Sequence, residues 1–98
     1  MARTTRLSPA ELTNAWPDEP SRDYAGEQAR LFALNLRSAM RDKSQRALAK
    51  AAGVDEGTVR RVLAGATWPD LRTIALLEDE LGCSLFPGYV RKGNERPL

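Results

Sequence analysis

The sequence predicts a compact all-α domain of four to five helices, preceded by an N-terminal extension that carries a short helix of its own. Three observations carry this. Apolar residues recur at helical spacing in several segments. Ser and Asp stand where helices would begin, and Gly stands where they would end. No segment alternates apolar and polar residues as a half-buried strand does. The chain has 98 residues, enough for one domain with little room for a second.

The elements follow in chain order. Ser8-Pro9-Ala10-Glu11 reads as a capping box with proline at the first helical position, opening a short helix to about Ala15. Trp16-Pro17-Asp18-Glu19-Pro20 breaks it and reads as a linker, so residues 1–22 form the extension. From about Asp23 to Arg41, Phe32, Leu36 and Met40 recur every four residues, flanked by Ala29, Ala33 and Ala39, and predict the first helix of the main domain. Ser44 is the expected N-cap of the second, with Ala47, Leu48 and Ala51 on its buried side and Gly53 as its stop. Val54 falls in the turn, Asp55 caps the third helix, and Gly65 ends it; Val59, Val62 and Leu63 share one face. Trp68-Pro69 forms the next connection, with Trp68 expected to pack as a core residue in the hinge. Asp70 caps a fourth helix striped by Leu71, Ile74, Leu77 and Leu81 and stopped by Gly82. Leu85 and Phe86 suggest a short fifth turn cut off by Pro87-Gly88, which puts the main domain at residues 23–86 and a flexible tail at 87–98.

Composition narrows the chemistry. The chain holds no histidine, which removes the commonest general base and zinc ligand, and with them Ser/His/Asp and Cys/His arrangements. The consecutive acids Glu78-Asp79-Glu80 point in different directions on a helix and make no acid/base pair. An enzyme is not expected, and no metal or cofactor is implied. The single cysteine, Cys83, allows no internal disulfide and is expected to be a small buried apolar residue. No apolar run reaches the roughly 18–20 residues of a membrane span, and the N-terminus lacks the apolar core of a signal peptide, so the expected location is the cytoplasm.

The net charge of +2 is unevenly spread. Residues 1–36 and 62–98 each sum to −1, whereas residues 37–61 sum to +4 through Arg37, Arg41, Lys43, Arg46, Lys50, Arg60 and Arg61. A basic patch on a near-neutral domain is an electrostatic footprint for a polyanion; a solvated helix surface is the plainer alternative. With Val59, Val62 and Leu63 facing inward, Gly57, Arg60, Arg61 and Ala64 face outward, and Glu56 lies at the exposed N-terminal edge. Small residues let a helix backbone approach a surface, and arginine forks match the O6 and N7 acceptors of guanine in the major groove. Glu56 suits a cytosine amino group, or simply the positive end of the helix dipole. The start of the second helix, Ser44-Gln45 with Lys43 and Arg46 beside it, offers free N–H groups and positive charge to a phosphate.

Ser44-Gln45, Leu48-Ala49, Gly53-Val54, Thr58-Val59 and Gly65 together resemble the helix-turn-helix family of lambda-type phage repressors, Cro and XRE-like regulators. The resemblance continues through Pro69, Leu71, Ile74 and Leu81-Gly82 and covers roughly residues 26–86. It implies a phage or bacterial repressor that binds double-stranded DNA with the third helix in the major groove and the second across the backbone. It places Glu56, Gly57 and Arg61 at base-facing positions, with Arg60 beside them. Lys43, Ser44, Gln45, Arg46 and Thr58 fall to the DNA backbone. It also implies a homodimer on a two-fold operator. Three departures stand out: Lys43 where the family carries an apolar residue, Gly57 where a side chain commonly reads a base, and a poorly developed dimerisation helix after the fourth.

A second function class is a partner-binding protein resembling the antitoxins of this family, with Trp16 and Tyr24 of the extension region as docking aromatics. The plainer alternative is that the extension folds back and completes the core. Arg3 and Arg6 suit an arm reaching into an adjacent groove, or an untethered basic terminus.

Overall fold

The computed structural model describes residues 6–89. Four α-helices follow a single 3₁₀ turn at Pro9–Leu12: α1 (Tyr24–Met40), α2 (Gln45–Ala52), α3 (Glu56–Leu63) and α4 (Leu71–Leu81). Every α-helix opens on a short polar side chain that accepts from an otherwise unpaired first-turn N–H. Asp23 takes that of Gly26 (2.8 Å), Ser44 that of Ala47 (3.0 Å), Asp55 that of Thr58 (3.2 Å) and Asp70 that of Thr73 (2.8 Å). Gly53 and Gly82 close α2 and α4 in the left-handed region. α1 ends without such help. Arg41 leaves the helix at φ 55°, a conformation costly for a residue with a β-carbon.

α2 packs on α3 and α4, and α1 packs on α3 and the 3₁₀ turn. The core at their junction holds Phe32, Leu36, Met40, Leu48, Ala49, Val59, Val62, Leu63, Leu77 and Leu85. Each fully buried Leu or Phe contributes roughly 1.5–3 kcal/mol. The buried side of α2 is Leu48 and Ala49, with Ala52 partly covered; Ala47 and Ala51 face solvent, one position off the expected stripe. On α4 the stripe begins a turn later than expected. Leu71 is 80 % exposed, and Thr73 and Leu77 are buried in its place. Leu71 directly follows the cap, where the chain still lies at the periphery.

The segment after α4 forms no fifth helix among the described residues. Leu85 is buried nonetheless, because its backbone is held from two sides. Glu78 accepts the N–H groups of Leu85 (2.7 Å) and Phe86 (2.9 Å), and Asn35 Nδ2 donates to Leu85 O (2.8 Å). Those two N–H groups, Phe86 first and then Leu85, hold the Glu78 carboxyl below its usual range. Phe86 is exposed, and so is Cys83, one residue past the helix stop; the expected burial of Cys83 is corrected.

The expected short helix at Ser8 is the 3₁₀ turn, ending at Leu12 rather than near Ala15. Its Glu11 carboxylate accepts from the Ser8 N–H (2.7 Å), the reaching-back half of the capping box. Arg30 of α1 ties the following segment down through Pro17 O (3.0 Å) and a 2.6 Å ion pair with Glu27. Arg3 and the tail from residue 90 onward lie outside the described residues.

Gly65 sits at φ 70° with Trp16 and Ala10 against it; a β-carbon there would come 2.6 Å from the Trp16 ring and 2.9 Å from Ala10 Cβ. Gly53 shares the left-handed conformation, but nothing lies within 4 Å of its missing β-carbon. Gly53→Ala is therefore expected to cost about 1–2 kcal/mol, the conformational term alone, and Gly65→Ala clearly more. Urea unfolding of the two variants measures the difference; equal losses would show that the Trp16 contact is soft.

A second expectation concerns acid. The Glu78 carboxyl binds its proton less readily in the folded chain than in the unfolded one. Its contribution is thus present above the ordinary glutamate pKa of about 4.3 and lost as pH falls through the lowered folded value. Glu78→Gln should flatten the acid side of a plot of melting temperature against pH. It should not abolish that slope, because Glu11, Glu27 and Asp70 are shifted in the same direction.

Candidate nucleic-acid interface

Core packing fixes the rotation of α3. Val59, Val62 and Leu63 are 0 %, 2 % and 4 % exposed, which turns Glu56, Arg60, Arg61 and Ala64 to solvent. Gly57 is half-buried, in the first turn beside the Asp55 cap. A β-carbon on Gly57 would lie 2.8 Å from Arg61 Nη1, 2.8 Å from Asp55 Oδ2 and 3.4 Å from Arg60 Nη2. Both guanidinium groups therefore fold back toward the N-terminal end of α3, over the space that Gly57 leaves open. The acidic Asp55 is close enough to favour that placement electrostatically.

The turn between α2 and α3 sets the angle between the helices. Gly53 takes φ 78°, ψ 30°, and its N–H and that of Val54 both return to Ala49 O (2.9 and 3.0 Å). α2 packs against α3, and its own start lies at Ser44-Gln45. Lys43, Ser44 and Arg46 are exposed there, Gln45 and Thr58 half-buried. Lys43 stays at the surface, and Met40 is the core residue that ends α1. The Ser44 hydroxyl oxygen already accepts from Ala47, so a further contact from this side chain uses its O–H as donor.

The polar side chains near this face differ in what they engage. Arg30 is engaged with Glu27 and Pro17. Among the described residues the side chains of Lys43, Gln45, Arg46, Arg60 and Arg61 make no hydrogen bond or ion pair. Their donors are open to an incoming ligand.

The far end of α3 is held by the N-terminal extension, through Trp16 of the expected linker and Ala10 of the expected short helix. Trp16 Nε1 donates to Leu63 O (2.9 Å), and the Ala10 N–H donates to Gly65 O (2.8 Å). Carbonyls at a helix C-terminus have no partner within the helix, and here the extension supplies donors. Trp68 is half-buried rather than central: its Nε1 donates to Leu7 O (2.9 Å), and the Arg6 guanidinium carbon stands 5.8 Å from its ring centre. The one hint in the sequence was Trp16 itself, a large ring in a Pro-rich stretch. Nothing there specified that its partner lies 47 positions away.

A model of the helix-turn-helix family matches residues 36–86, just over half of the chain. The chain belongs to the lambda-repressor-like helix-turn-helix family. This helix-turn-helix protein is accordingly a DNA-binding regulator of transcription, with double-stranded DNA as its ligand. Comparison with the curated proteins and with the solved structures returned no match for it. Among its described residues no helix is long and apolar enough to cross a membrane.

Gly57→Ala separates helix stability from DNA binding. The new methyl meets only the tips of flexible side chains and Asp55. Alanine is worth up to about 1 kcal/mol over glycine in a helix interior, and about half of that is expected in a first turn. The same methyl crowds Asp55 Oδ2, the oxygen that caps the Thr58 N–H, which offsets that gain, so the urea midpoint should change little while the Arg60 and Arg61 forks are displaced. A fall in stability would mean that the cluster over Gly57 is rigid.

Proposed function

We propose that this protein is a repressor that reads a short duplex site by inserting α3 into the major groove. One observation supports this above the rest: on α3 the apolar face is sealed in the core, while the opposite face carries two arginines with no partner among the described residues. In this reading Arg61 and Arg60 face guanine edges, Glu56 accepts from a cytosine amino group, and Gly57 lets the helix start come close to the base pairs. Lys43, Ser44, Gln45, Arg46 and Thr58 bind phosphates and set the register without reading sequence. The assignment as a repressor rests on the family resemblance. So does a homodimer on a two-fold operator, with half-sites about 34 Å apart.

Trp16 is committed to Leu63, and Tyr24 lies 6.0 Å from Tyr89, ring centre to ring centre. We infer that residues 8–16 brace the C-terminal end of the reading helix. The partner-binding alternative keeps no separate support.

Site selection from random duplex DNA, followed by mobility shifts across salt, tests the reading. Arg61→Ala is expected to cost about 1–3 kcal/mol at the preferred site and to relax the preference at one base pair. Lys43→Ala should weaken binding to all sequences alike and reduce the salt slope by about 1. Affinity indifferent to salt, or an Arg61→Ala protein with unchanged preference, would contradict the assignment.

A further inference from the structure

Gly57 leaves an open slot at the start of α3, and two cations converge on it. Arg60 and Arg61 follow Gly57 by three and four residues, the spacing that makes neighbours on one helix face. Side chains on a helix lean toward its N-terminus, so both reach back over the glycine. Arg61 Nη1 stands 2.8 Å, and Arg60 Nη2 3.4 Å, from the point where a β-carbon on Gly57 would sit. The third atom at that point is Asp55 Oδ2, also at 2.8 Å. Asp55 Oδ2 and Arg61 Nη1 are therefore no further apart than twice that distance. They form no ion pair among the described residues, so the guanidinium faces the carboxylate across a narrow gap.

The carboxylate is itself held in place. Its Oδ2 accepts from the Thr58 N–H (3.2 Å), which fixes it at the helix start. Its Oδ1 accepts no hydrogen bond among the described residues. The cap thus presents a fixed negative charge, with one oxygen to spare, beside the longer and more mobile side chain of Arg61. Two cations directed at one point repel each other, and a carboxylate at that point offsets the repulsion.

We propose that Asp55 is a positioning residue for Arg61, an inference that rests on the assignment of Arg61 to a base edge. Asp55 holds the guanidinium over Gly57, aimed at a guanine near the N-terminal end of the reading helix. An unrestrained arginine can exchange guanine for the nearest phosphate oxygen, and phosphates are present on every sequence. Restraint disfavours that exchange, so it acts on preference more than on overall affinity. The donors suffice for both partners. A guanidinium carries five N–H groups, guanine O6 and N7 take two, and the rest remain for the carboxylate. The same arrangement requires glycine at position 57, because a side chain there would enter the slot that the guanidinium fills.

The test uses the full chain and measures discrimination: affinity for the selected duplex relative to the same duplex with one base pair replaced. The pair of interest is the one at which Arg61→Ala relaxes the preference. Asp55→Asn and Asp55→Ser both keep an oxygen that caps the Thr58 N–H and remove the charge, so the urea midpoint should change little. Each should lower discrimination at that pair about two- to tenfold, the worth of fixing one long side chain before binding. Discrimination at the other pairs should stay as it is. Placed on Arg61→Ala, Asp55→Asn should leave discrimination at that pair unaltered, because the side chain it positions is gone. Two results would overturn the proposal while leaving α3 as the reading helix. In one, Arg61→Ala relaxes the preference but neither Asp55 variant does. In the other, the Asp55 variants weaken discrimination equally at every pair, the mark of a loosened helix. An Arg61→Ala protein with unchanged preference would instead remove the base contact of Arg61, and the role of Asp55 with it.

Discussion

The structure depends on the burial of three side chains, Val59, Val62 and Leu63, on one side of an eight-residue helix. A helix this short is not stable alone in water, because nucleation is unfavourable and few bonds repay it. Its existence and its rotation are therefore set by the same contacts. Once those three are inside, periodicity leaves Arg60, Arg61, Glu56 and Ala64 no place but the surface. The arginines need no specific interaction to hold them outward. They are outward because the apolar face has a better place to go.

The ends of α3 are secured by different means. At its start, Asp55 caps the Thr58 N–H, and the turn at Gly53 fixes the angle to α2. At its finish, Gly65 takes a left-handed conformation, and the extension closes over it through Trp16 and Ala10. A surface helix secured at both ends loses less freedom on meeting a rigid ligand than one that frays, and pre-organisation of this kind favours binding. The charge distribution follows the same division. The paired arginine, Arg30, is spent on holding the extension to α1, whereas Lys43, Arg46, Arg60 and Arg61, before and along α2 and α3, make no hydrogen bond or ion pair among the described residues.

Glu78 and Asn35 seat Leu85 by bonding to its backbone, so a residue outside any helix is buried with both its N–H and its carbonyl paired. Gln28 joins α1 to Gly88 through its amide nitrogen, and its buried Oε1 accepts no hydrogen bond among the described residues. Asn35 is exposed, so the other end of its amide meets water, whereas that of Gln28 is shut away from it.

Local rules in the sequence determined much of this protein. Ser44, Asp55 and Asp70 cap where they should, Gly53 and Gly82 stop helices, and the outward face of α3 follows from the positions of Val59, Val62 and Leu63. These features depend on neighbours within a few residues, so they can be read without a fold. What the tertiary structure decided was long-range. Ala47 and Ala51 yield to Ala49 on the buried side of α2, because the direction of the core relative to a short helix is set by its partners. Leu71 and Cys83 lie at helix ends that reach past the core, and no periodic pattern reports where a core stops. The brace at Leu63 and Gly65 pairs residues far apart in the chain, and so does the bond from Trp68 to Leu7. Helical spacing carries no information about such pairs, since it describes one element at a time; only packing the elements together brings those donors and acceptors within reach.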